Sequence, residues 1–196
     1  MNNVLPPASD AARRPPAPGR LELLRTFVNT VDLESGVDQL ASAEMLAVWL
    51  GERGLLARGA KLGVADRATA IAFREAVREV LEGNAGHADA SRALTRLDEI
   101  AARVPLVVRM GDRPQLEPVR EAGVDLAIGR FLAIIYEAVT EGTWARLKVC
   151  RDDVCRWAFY DSSRNRSGVW CTMAICGNRT KGRLFRRRHP VEAAAT

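Results

Sequence analysis

Apolar positions recur at helical spacing through most of residues 21–139, and the pattern breaks once. Leu21, Leu24, Phe27, Val28 and Val31 share one face of a 3.6-residue period, which predicts an amphipathic helix. Asp32 to Asp38, with Gly36 inside, reads as a turn. Ser42 suits the N-cap of a helix carrying Met45, Leu46, Trp49 and Leu50, and Gly54 is placed to stop it. Asp66 is read as the cap of a longer helix whose inward face is Ala70, Phe73, Val77, Val80 and Leu81, ended by GNAGH at residues 83–87. Asp89 begins another, with Leu94, Leu97 and Ile100 inward. The period then changes: VPLVVRM, GDRP and QLEPV predict a β-hairpin around a Gly-Asp turn. The longest apolar element follows, VDLAIGRFLAIIYEAV at residues 124–139, and predicts a buried central helix.

Composition adds limits. With 196 residues, 47% of them hydrophobic and 6% aromatic, the chain has material for a sizeable, mostly aliphatic core. Residues 1–19 are rich in Pro, Ala and Arg, lack periodicity and are expected to form a disordered arm. That arm has no apolar run suited to a signal peptide, and no segment approaches the ~18 apolar residues of a spanning helix. The expectation is a cytoplasmic protein without a membrane, in which thiols stay unpaired or bind metal.

Charge divides the chain. Residues 144–189 hold twelve Lys/Arg against three acids, whereas residues 1–143 hold 17 against 20. A basic module of residues 144–189 thus follows a mildly acidic helical one at residues 20–143, with a tail at 190–196. The split points to a polyanion as partner of the basic end.

All four cysteines lie in that module, as C-x4-C-x15-C-x4-C: Cys150, Cys155, Cys171 and Cys176. Two close pairs separated by one hairpin length suit a tetrahedral zinc site, against the alternatives of two disulfides or four unrelated buried thiols. Between the pairs RWAFYD reads as a strand, SSRNRSG as a turn and VWC as the return strand, and TMAICGNRTKGRLFRRR turns helical after its first turn. The module is too small for a core of its own, and structural zinc contributes roughly 10–16 kcal/mol of apparent binding energy. Four thiolates leave no open position on the metal, so the expected zinc is single and structural. The expected fold class is mainly α with a small β-hairpin (α+β): a helical domain followed by a treble-clef-like finger.

FYDSSRNRS, WCTMAICGNR and the basic run after it resemble the CGNR zinc-finger family, through Cys176-Gly177-Asn178-Arg179. FVNTVD at residues 27–32 and the helix ending in AVWLGERGLL resemble the ABATE domain that usually precedes this finger. The resemblance spans about residues 21–188 and implies a stress-induced transcription regulator with a DNA-binding finger. Asn29, Thr30 and Asp32 fall within this stretch. Two readings of them stay open: lining a small-molecule pocket (Asn29 and Asp32), or capping and pinning the following loop.

On a helix, Arg179, Arg183 and Arg186 or Arg187 share one side, with Leu184 off that stripe. Arginine forks fit phosphates and guanine edges. Asn178, Arg179 and Arg183 are therefore candidates for reading bases, with Lys181, Arg186, Arg187 and Arg188 as phosphate contacts and Arg164 and Arg166 reaching in from the hairpin turn. Arg13 and Arg14 are expected in the solvated arm. No catalytic constellation stands out, and the expected class is a non-enzymatic regulator of bacterial one-component layout that binds duplex DNA. RNA binding and a protein-interaction role remain as alternatives, as do homodimerisation and a small-molecule effector of unknown kind.

Overall fold

The computed structural model describes residues 14–189. Five helices, α1 (Leu21–Val28), α2 (Ala43–Glu52), α3 (Val64–Asn84), α4 (Ser91–Ala101) and α5 (Gly123–Thr140), surround one core, with an antiparallel hairpin of β1 (Leu106–Arg109) and β2 (Gln115–Pro118) before α5. Each helix is amphipathic and can bury its stripe only against its neighbours. The stripes meet at an aromatic cluster, where Phe27 lies 4.5 Å from Phe131, 5.6 Å from Trp49 and 6.1 Å from Phe73 between ring centroids. The expected inward face of α3 is buried throughout, and α5 is buried along Val124, Ala127, Ile128, Phe131 and Ile134 but exposes Tyr136 and Val139 toward its end.

Three local expectations are corrected. The N-cap of α3 is Gly63 rather than Asp66, which sits one turn in and accepts the Gly63 N–H at 2.7 Å. Leu94 is 48% exposed, and Ala93 takes the buried place on the face of α4, shared with Leu97, that packs on α3. Residues 14–19, read from composition as arm, lie against the fold: Ala17 is buried and its N–H meets Glu22 Oε2 at 2.7 Å.

The finger is not a separate body. Its hairpin, β3 (Leu147–Val149) with β4 (Ala158–Tyr160), places Leu147, Val149 and Ala158 in the main core. The expected strand pairing is shifted accordingly. RWAFYD does supply β4, but its partner precedes Cys150, and VWC is no strand of the sheet. A single π turn, Met173–Gly177, then leads into α6 (Asn178–Arg188).

Candidate metal centre and nucleic-acid interface

The end of β3 delivers Cys150, whose N–H is held by the Trp157 carbonyl at 2.9 Å. Between them the chain turns tightly: the Cys155 and Arg156 N–H groups both bond to the Asp152 carbonyl, and Arg156 takes a left-handed φ of 41° to close the knuckle. The second pair comes alongside through the Arg151 N–H to Val169 carbonyl bond at 2.9 Å, and the π turn carries Cys176 back beside Cys171. A Cβ at Gly177 would displace the half-exposed Met173 side chain and stand 3.3 Å from Trp170, so glycine leaves both in place.

All four sulfurs are buried and lie within 4.8 Å of one another, with Cys155–Cys171 and Cys171–Cys176 both at 3.6 Å. That spacing is far too long for a disulfide, and the four thiols are reduced. A tetrahedron with ~2.3 Å zinc–sulfur bonds has edges of about 3.8 Å, close to what is found here. The charges agree. Hydrogen bonds from Cys155 and Cys171 pull Cys150 strongly down, whereas hydrogen bonding with Cys150 and Cys155 pushes Cys171 up. Burial, and then the charge of the neighbouring sulfurs, push Cys176 up to about 12. One thiolate is thus stabilised by its neighbours' S–H groups, and ionising all four calls for a central cation. The residues present fit one structural zinc held by Cys150, Cys155, Cys171 and Cys176.

The start of α6 differs from the expectation of an outward arginine stripe. Asp152, in the first knuckle, is buried and needs cations; Arg183 Nη2 reaches it at 2.9 Å and Arg179 Nε at 3.6 Å. Arg179 also pairs with Glu34 of the loop after α1, at 3.1 Å. The side shared by Arg179 and Arg183 therefore turns toward the fold. Asn178 spends its amide on the Ala174 carbonyl at 3.1 Å, and Lys181 and Arg186 are exposed. Arg164 and Arg166 are exposed on a turn that no hydrogen bond or ion pair ties to α6 among the described residues. The side chains of Leu184, Arg187 and Arg188 lie outside the described residues, as does Arg13.

The two polar candidates before the first loop have local duties. The buried Asn29 amide donates to the Ala158 carbonyl and accepts from its N–H, both at 2.8 Å, acting as a piece of strand beside β4. Asp32 accepts the N–H groups of Glu34 and Ser35, at 2.9 and 3.3 Å, and shapes the turn. Asp32 thus pins the following loop, whereas Asn29 ties the end of α1 to β4.

The ABATE family model, "Putative stress-induced transcription regulator", matches residues 20–141. The chain belongs to the ABATE family. A second model, the CGNR zinc finger, matches residues 146–189 and so contains all four candidate ligands. A comparison with curated proteins finds no match.

Several residues that order the ABATE domain and the CGNR finger escaped the sequence reading. Arg78, fully buried on α3, bonds to the Val28 carbonyl, to the Arg156 carbonyl at 2.9 Å and to Glu75 at 3.0 Å. Arg74, one turn earlier, meets Asp38 at 2.9 Å. Both lie within the apolar stripe of α3, four residues apart, and charges placed inside such a stripe were the available signal. In the CGNR finger Lys148 is paired with Asp161 at 3.0 Å, both side chains buried. Arg14 reaches Asp161 at 3.4 Å and the Trp170 carbonyl at 3.2 Å, which removes it from the solvated arm; nothing in the composition of that arm marks it.

Proposed function

We propose that this protein is a zinc-dependent transcription regulator, without catalytic activity, whose CGNR finger binds duplex DNA along α6 and whose ABATE domain carries the regulatory or dimerising role. The observation behind this reading is the anchoring of α6. Its first turn follows the zinc ligand Cys176, so the metal fixes its direction, and from Ser162 to His189 the chain contains no acid. Lys181 and Arg186 supply phosphate contacts in this reading. Arg179 and Arg183 read bases only after exchanging Glu34 and Asp152 for the nucleic acid, which makes specific binding depend on how firmly those acids hold them. One finger covers little surface, so two copies on paired half-sites are part of the proposal.

The test is retention of a random duplex pool on zinc-loaded full-length protein, followed by sequencing. An enriched, inverted-repeat motif is expected. Affinity should fall with salt on a log–log slope of about −4.5 for some five phosphate contacts, and Lys181→Ala or Arg186→Ala should each flatten it by about one. Preference for structured RNA over duplex DNA at equal salt would overturn the DNA reading. Retention independent of salt would overturn nucleic-acid binding altogether.

A further inference from the structure

A cleft of about 480 Å³ opens beside the zinc centre, between the end of α3 and the finger. Glu82 and His87 contribute from the ABATE side, and Arg151, Arg156, Thr180 and Arg183 from the finger. Three guanidiniums thus face two carboxylates, Glu82 and Asp153 at its edge. Glu82 is already occupied by Arg156. Arg183 is shared between Asp152 at 2.9 Å and the Thr180 hydroxyl at 3.4 Å.

Two groups in the cleft lack partners. The Arg151 side chain makes no hydrogen bond or ion pair among the described residues, although its backbone is fixed to Val169 at 2.9 Å. His87 Nε2 is buried with no hydrogen-bond partner among them. A buried polar atom left unpaired is costly, and a ligand oxygen would relieve that cost. Burial, and then the charge of Arg151, lower the His87 pKa, so the ring is neutral at pH 7 and has one N–H to offer.

We infer that this cleft binds a small organic phosphate, with the phosphoryl oxygens between Arg151 and the His87 N–H. Guanidinium forks match phosphoryl oxygens bidentately, and the three terminal oxygens of a phosphate monoester can engage donors from both walls at once. The cavity is within the ~300–1,000 Å³ range of small-molecule sites and larger than a bare phosphate needs. The remaining room, beside the indole of Trp170, takes an organic group. A ligand here joins the ABATE domain to the finger and competes with Asp152 for Arg183. The site shares Arg183 with the DNA reading but does not require it.

The experiment is calorimetric titration of the zinc-loaded full-length chain with adenosine monophosphate and with inorganic phosphate, adenosine serving as control. Adenosine monophosphate should bind, inorganic phosphate more weakly, and adenosine not at all. A hundredfold excess of the nucleotide over its Kd should raise Tm by on the order of 5 °C. Arg151→Ala, which removes no contact of the fold, should keep zinc content and Tm and weaken nucleotide binding about tenfold or more. Absence of heat with both phosphates at about 10 mM would overturn the inference. So would binding indifferent to Arg151→Ala and to His87→Phe. Equal loss of nucleotide and duplex DNA binding in Arg151→Ala would overturn it too, by assigning the cleft to the nucleic-acid backbone. Nucleotide binding that persists without any DNA retention would sustain the site and fail the DNA reading alone.

Discussion

Asn29 shows how one side chain joins two modules. Its amide fills the hydrogen bonds of a residue in β4 that has no strand on that side, and both Ala158 groups it serves are buried. Asn29→Ala leaves a buried N–H and a buried carbonyl unpaired and should cost about 2–4 kcal/mol in urea unfolding of the zinc-loaded protein. Asn29→Asp keeps the acceptor but sets a buried carboxylate oxygen against the Ala158 carbonyl, so at pH 7 it should cost at least as much as Asn29→Ala. A second residue-level prediction concerns Asp38. Burial raises its pKa, but the Arg74 hydrogen bond and the Leu40 N–H outweigh burial and leave it below the ordinary value. A carboxylate depressed in the folded state contributes stability that is present above its unfolded pKa of about 3.9 and lost as pH falls through the folded value. Asp38→Asn should therefore be less stable than wild type at pH 7, and the gap in urea midpoints should narrow from about pH 5 downward. A gap independent of pH would refute the pairing with Arg74.

At the scale of elements, helix α5 and the β1–β2 hairpin meet at Gly129. A Cβ there would lie 2.7 Å from Pro118 Cγ and 3.1 Å from Val104 Cγ1. Alanine is the better helix former by about 1 kcal/mol, and the clash falls on a ring that cannot rotate away. Gly129→Ala should therefore destabilise by about 1–3 kcal/mol despite its helix propensity, read from thermal unfolding. The elements were largely legible from apolar periodicity, since a stripe must be buried wherever it finds a neighbour. α4 shows the limit: Leu94 and Ala93 both fit a helical stripe with Leu97, and the side on which α3 packs decided for Ala93. The finger hairpin shows another. RWAFYD was readable as a strand, but its partner was set by the core, which draws Leu147 and Val149 in, rather than by turn residues.

At the scale of the whole molecule, the zinc centre and the helical core should unfold as one. The finger contributes Leu147, Val149 and Ala158 to the main core, and Arg78 and Asn84 bond across to its backbone. One zinc per chain is expected by elemental analysis. Chelation should lower Tm of the entire chain in a single transition, and Cys155→Ser should do the same without chelator. A helical transition that stays at its zinc-loaded temperature, with the finger melting separately, would show two independent bodies.

The sequence by itself determined the helical stripes, the division into a helical and a basic module, and the four thiols. Each of these depends on spacing along one stretch of chain, and spacing is what local geometry reads. Tertiary structure alone decided which way charges point. Arg179 and Arg183 share a helical side in any reading, yet that side faces inward because Asp152 is buried beneath it and Glu34 stands 145 residues away in sequence. Asn29, Arg78 and Lys148 are polar residues whose partners lie across the fold, and their roles follow from the requirement that every buried polar group find one. Periodicity indicates that a side chain is buried; only packing selects what it is buried against.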